Sequence, residues 1–216
     1  MKIYKLNDVQ ETTNTYDFID LLIDNELHLE GKMLNLSNAY EKLILTPLAL
    51  QKLIEELFHK LDMPINFSRI GDNNTRYDAK LSIENGRFEG IIEVEVPSTA
   101  MLDAPRNLLD DIAVVSNRNN MDLDKIIPIV ICWTFPNNRT DYWNVVNDIN
   151  KVLNIKIRTI PIMALAVFYW TNNKLNLEGE SFYVDVDNNS LMEIIELISN
   201  KNINLSNFEG FFAPFK

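Results

Sequence analysis

The chain has 216 residues, 46% hydrophobic and 24% charged, ordinary values for one folded domain with a full core. Its formal net charge of −11 argues against non-specific nucleic-acid binding, which lysine and arginine drive by meeting phosphates. A single cysteine, Cys132, excludes an internal disulfide, and two histidines, His28 and His59, leave little for a zinc site or a histidine-based triad. Any chemistry therefore runs on carboxylates. No run reaches the roughly 18 apolar residues of a membrane span. The start, "MKIYKLNDVQE", lacks a signal-peptide layout, so the expectation is a cytoplasmic protein with no membrane partner.

In chain order, "TYDFIDLLIDNEL" reads as a helix and "LEGKMLNLS" as strand or loop. Thr46 and Pro47 open a helix, threonine as N-cap and proline at the first helical position. Leu50, Leu53, Ile54, Leu57, Phe58 and Leu61 then form one apolar stripe, bounded by Pro64. "INFSRI" (65–70) is a short strand, "RYDAKLSI" (76–83) a second, and "FEGIIEVEV" (88–96) its return through a turn centred on Asn85-Gly86. A helix is expected from about Pro105 to Asn117, with Asp103 or Ala104 near its cap and Leu108, Leu109, Ile112 and Val115 inward. "KIIPIVICWTF" (125–135) is a buried strand, in which Cys132 reads as a structural thiol. "TDYWNVVNDINKVLN" (140–154) is an amphipathic helix and "IKIRTIPI" a further strand. "PIMALAVFYW" is ambiguous between strand and helix. "KLNL" and "FYVDV" could pair as a late hairpin, and Ser190 with Glu193 has capping-box spacing for a last helix to about Asn200. The tail "NFEGFFAPFK" carries too many phenylalanines to be free and should pack on the body or on a second subunit. The expectation is a single α/β domain over residues 1–216, a mixed sheet with helices on both sides in the order α-β-β-β-α-β. Its core lies at about 47–135 and a C-terminal extension at about 171–216.

The stretch "RYDAKLSIENGRFEGIIEVEVPS" concentrates acids. Alternation puts Glu93 and Glu95 on one face of their strand with Ile91, and Val94 and Val96 on the other. Counting back from the turn, Asp78 lies roughly opposite Glu93 to Val94. Acids alternating with valines commonly mean a solvated face. Three carboxylates within about a strand spacing in a partly buried place instead require protonation or a cation. Mg²⁺ fits, because it takes one or two carboxylates, keeps waters and accepts a substrate phosphate. Five of the seven arginines (Arg69, Arg76, Arg87, Arg106, Arg118) bracket this stretch and offer local positive charge despite the acidic average.

An acid, a hairpin, an acid-x-residue at the end of the next strand, then a helix and a buried strand resembles the PD-(D/E)xK nuclease superfamily over roughly residues 47 to 135. Asp78 matches the first acid and Glu93 the second, fifteen positions on. Tyr77 stands where the motif has proline, and Glu95 stands where it usually has lysine. The E-x-E ending is similar to the BamHI type of restriction endonuclease, small α/β homodimers that cut double-stranded DNA.

The resemblance implies metal-assisted hydrolysis of a DNA phosphodiester. Asp78 and Glu93 would hold Mg²⁺, which polarises the phosphoryl oxygen and lowers the pKa of bound water. Glu95 would orient or deprotonate that water. Lys80, on the face of Asp78 by alternation, and Arg106, at the start of the following helix, would steady the phosphate. Relatives often add a glutamate from the preceding helix. Glu55 and Glu56 stand equally far from the apolar stripe; Glu56 is carried forward as the metal ligand with that choice open. The competing class is a nuclease-fold subunit without activity, or an acidic protein-interaction module, which the −11 charge favours.

Overall fold

The computed structural model describes residues 15, 17–68, 77–178 and 191–214. Residues 17–23 are helical, and α1 (Leu29–Asn38), α2 (Tyr40–Ile44) and α3 (Pro47–Lys60) follow. Next come β1 (Ile65–Phe67), β2 (Ala79–Ile83), β3 (Phe88–Glu95), α4 (Ala104–Asn119) and β4 (Ile126–Cys132). The chain continues through α5 (Asp141–Leu153), β5 (Arg158–Pro161), α6 (Ile162–Trp170) and α7 (Met192–Ser199). The five strands form one mixed sheet in sequence order, antiparallel from β1 to β3 and parallel from β3 to β5. This is the expected α/β architecture, a mixed sheet flanked by helices.

The parallel half needs two crossovers, β3–α4–β4 and β4–α5–β5, stepping in the same direction along the sheet. Right-handed connections then place both helices on one face, and α4 and α5 do touch each other, with α4 packed on β3 and β4. On the other side of the chain's core, α3 packs on β1 and α6, and α6 on α1 and α7. β4 is buried along its whole length, as its unbroken apolar run requires between two helical layers. One continuous buried cluster runs from Ile19 to Phe212.

Several elements depart from the sequence reading. "LEGKMLNLS" is helical, not strand or loop: α1 buries Met33 and Leu36, three residues apart, and its packing on α6 holds what so short a stripe does not announce. The ambiguous "PIMALAVFYW" is mostly helix; α6 is buried on every side from Ile162 to Phe168, so no polar face marks its period. Thr46 occupies the N-cap of α3, yet its side chain makes no capping bond; its carbonyl accepts from Ala49 and Leu50. Lys174–Leu177 is not a strand, and Phe182–Val186 and Ser190 lie outside the described residues. The tail packs on the body: Phe208, Phe211 and Phe212 are buried, Phe135 N–H donates to Gly210 at 2.7 Å, and Leu191 N–H donates to Phe212 at 2.9 Å.

The β2–β3 hairpin positions the acids. Glu84, Asn85 and Gly86 all take positive φ in its tight turn, which Asn-Gly favours. Leu81 pairs with Gly90, and a Cβ on Gly90 would stand 2.7 Å from Leu81 Cγ. A hydrogen at this position lets the Leu81 side chain lie across β3, locking the register that delivers Glu93 and Glu95.

Candidate functional site

The acids gather where β3 ends, beside the carboxyl end of β4. In the hairpin register Ala79 pairs with Ile92, yet Asp78 N–H also goes to the Ile92 carbonyl, at 3.0 Å. Two residues thus address one, in the manner of a β-bulge, which re-aims a side chain. The Asp78 carbonyl accepts from Ser68 at 2.8 Å, holding this residue between β1 and β3. Its carboxylate takes the backbone N–H of Val94 at 2.8 Å. Simple alternation puts Asp78 opposite Glu93 to Val94; the break in the ladder brings its carboxylate to the Val94 amide itself.

Glu93 and Glu95 are each only 8% exposed. They are not the solvated edge of a strand. Beside them in the β4 register stand Val130 and Cys132. The Cys132 thiol is buried and raised well above its ordinary value by burial, which suits a structural role. Behind it, the buried Tyr142 hydroxyl is satisfied by Thr159 at 2.6 Å. The wall is therefore apolar or neutral, and water is replaced by little that stabilises charge.

The consequence is electrostatic. Burial first, then Asp78, a hydrogen bond with Asp111, and the charges of Asp111 and Glu95 push Glu93 up to about 9. Glu95 is raised by burial and by Asp78, partly offset by an N–H bond from Ala100, with Asp103 adding to the rise. Asp78 is raised by burial and held back by the Val94 N–H. Asp78 is itself exposed, at the rim of the cluster. No lysine or arginine among the described residues pulls any of these three carboxyls down.

Asp111 is the member that sequence reading missed. It is 3% exposed on the inward face of α4, flanked by Leu108, Ile112 and Val115, all buried. The signal was present: an aspartate three residues after one core leucine and one before a core isoleucine interrupts an otherwise apolar stripe.

The other expected site residues are placed less favourably. Lys80 pairs in register with Ile91, on the Glu93 side of the hairpin, but its ammonium meets Glu89 at 2.6 Å. Arg106 is exposed and reaches Asp103 at 3.3 Å, close to the Glu95 end of the cluster. Glu56 lies 3.8 Å from Lys60, which in turn holds Asp24 at 2.8 Å, and Glu55 accepts from Gln51 and Lys52. Both upstream glutamates are thus spent on pairs along or beside α3, and neither figures among the groups that perturb Asp78, Glu93 or Glu95. Ser98 and Thr99 hydroxyls turn back to the carbonyls of Glu95 and Pro97. Arg69 and Arg76 lie outside the described residues.

Among the described residues, no group of three or more His, Cys, Asp or Glu is arranged as a ready-made metal cage. The donor set nevertheless suits a hard cation that does not need one: the acids at hand offer only oxygen, and Mg²⁺ binds through one or two carboxylates plus water and substrate phosphate. No protein-family model, no curated protein and no solved structure matches the chain.

Proposed function

We propose that this chain is a Mg²⁺-dependent endonuclease that hydrolyses DNA phosphodiester bonds, of restriction or related defence type, acting on double-stranded DNA as a homodimer. The observation that carries the reading is the crowding of Asp78, Glu93 and Glu95 around a buried strand end, with their carboxyls raised and no described cation to balance them. A divalent ion relieves that repulsion. Support for a nuclease among Mg²⁺-dependent hydrolases comes from the order α3-β1-β2-β3-α4-β4, with one acid leading into β2 and E-x-E closing β3.

Asp78 and Glu93 are the residues that hold the ion. When bound, Mg²⁺ supplies Lewis-acid polarisation of the phosphoryl oxygen and acidifies water. Glu95, raised by burial and by Asp78, is the residue that accepts a proton from the attacking water. Lys80 reaches the substrate phosphate by exchanging its bond to Glu89, and Arg106 by exchanging its bond to Asp103.

A second reading, an inactive subunit or acidic interaction module, is favoured by one observation: Lys80 is already neutralised by Glu89, leaving the cluster acidic within a chain of net charge −11. Incubating supercoiled plasmid with purified wild type and Asp78→Ala, with and without Mg²⁺, separates the two. The enzyme reading expects nicked or linear product only for wild type with metal. Intact plasmid across a broad panel of DNA substrates and metal concentrations would leave the interaction reading standing.

A further inference from the structure

Asp111 has no place in the chemistry just described, yet it is more deeply buried than any of the three acids assigned there. It reaches the site from α4, a different element from those that carry Asp78, Glu93 and Glu95. A buried aspartate in a core stripe is costly unless a specific contact compensates it. Here one carboxyl oxygen has a hydrogen bond to Glu93, while Oδ2 is buried with no hydrogen-bond partner among the described residues.

We propose that Asp111 is the positioning residue of the site: from the buried face of α4 it hydrogen-bonds the Glu93 carboxyl and holds that side chain in the orientation a cation requires. The inference rests on the proposed metal-dependent reading of the site. Two carboxyls can share a hydrogen bond only if one proton lies between them. The bond to Asp111 engages one Glu93 oxygen and leaves the other for the ion. Asp111 thus contributes geometry from α4 without itself being a ligand.

The arrangement ties function to a specific piece of packing. α4 lies on β3 and β4, and Leu108, Ile112 and Val115 anchor it there. Asp111 lies between those anchors, so the helix cannot shift without moving the partner of Glu93. Outer partners of this kind align ligating carboxylates and keep their rotamers from drifting.

The chemistry separates a positioning group from a ligand. Asparagine at 111 keeps a hydrogen-bonding partner for Glu93; alanine keeps none; a direct ligand would need the carboxylate and would be lost in both. The experiment is a Mn²⁺ titration followed by electron paramagnetic resonance of the free ion, on wild type, Asp111→Asn and Asp111→Ala, with thermal melts of all three. The expected result is that Asp111→Ala weakens Mn²⁺ binding about tenfold to a hundredfold, while Asp111→Asn recovers most of that loss. Melts that report folded protein at the titration temperature assign the loss to the site. Asp111→Ala binding as wild type does, or Asp111→Asn losing as much as Asp111→Ala, overturns the positioning role and leaves the metal reading intact. Wild type that binds no Mn²⁺ overturns both, since Glu93 then has no ion to be oriented toward. If Asp111→Ala does not fold, Asp111→Ser, which keeps a short donor, takes its place, and binding as weak as in a Glu93→Ala control overturns the proposal.

Discussion

The carboxylate of Asp78 accepts the backbone N–H of Val94 at 2.8 Å, fastening the acid before β2 to the residue that separates Glu93 from Glu95. The bond spans the hairpin and sets the spacing of the cluster. It also gives Asp78 a structural duty distinct from any chemical one. Asp78→Asn keeps a carbonyl acceptor for Val94, whereas Asp78→Ala keeps none. Urea denaturation should show Asp78→Ala destabilised by about 1 kcal/mol or somewhat more, the cost of an orphaned amide, with Asp78→Asn nearer wild type. Both should lose Mg²⁺-dependent cleavage. Equal stabilities for the two variants would remove the tether from the account.

The pH dependence of stability follows from Glu93. Its carboxyl rises to about 9 from an ordinary 4.5, so the folded protein keeps a proton that the unfolded chain releases above 4.5. Stability is therefore full below that ordinary value and declines as pH climbs toward about 9. The raised carboxyls of Asp78 and Glu95 act in the same direction. Metal-free protein should unfold at lower denaturant at pH 8 than at pH 5.5, and Glu93→Gln should flatten the slope. Mg²⁺ affinity should run the opposite way, rising with pH as the carboxyls ionise. A metal-free stability that increases over this range would contradict the assignment.

Glu95 is set apart from Glu93 by its partners. It takes an N–H from Ala100 and lies near Asp103, in the segment that leads into α4, while Glu93 faces Asp111. A proton acceptor and an ion ligand should respond differently to removal of charge. Glu95→Gln should keep Mg²⁺ affinity within a few-fold while lowering the cleavage rate about 100-fold or more, the usual scale of general-base loss. Calorimetry and single-turnover cleavage read the two quantities separately.

Gly90 tests the frame beneath the site. A Cβ there would stand 2.7 and 2.9 Å from Leu81 and 3.3 Å from Ile129. Gly90→Ala should cost about 1–3 kcal/mol by overpacking, and Leu81→Ala in the same chain should recover part of the loss. Thermal melts of the two single variants and the double variant measure that coupling.

The parts legible in the sequence are those with a strong period or an unbroken apolar run. The Leu50-to-Phe58 stripe yields α3, and "IIPIVIC" yields β4. The acids of β3 were legible through alternation, but their burial was not, because it is imposed by α4 packing over β3 and β4. α1 hides because only Met33 and Leu36 of its ten residues are buried. The bond from Val94 to Asp78 depends on a break in the ladder that alternation cannot express. Asp111 escaped because a stripe reading records the leucines and isoleucines and passes over the charge between them.

The central claim is that Asp78 and Glu93 hold a divalent ion, and calorimetric titration of metal-free protein with Mg²⁺ and Mn²⁺ tests it most directly. The account predicts saturable binding by wild type at pH 8 and loss of that binding in both Asp78→Ala and Glu93→Ala. Wild type that shows no binding heat and no thermal stabilisation by either ion, or a Glu93→Ala variant that binds as tightly as wild type, would contradict it.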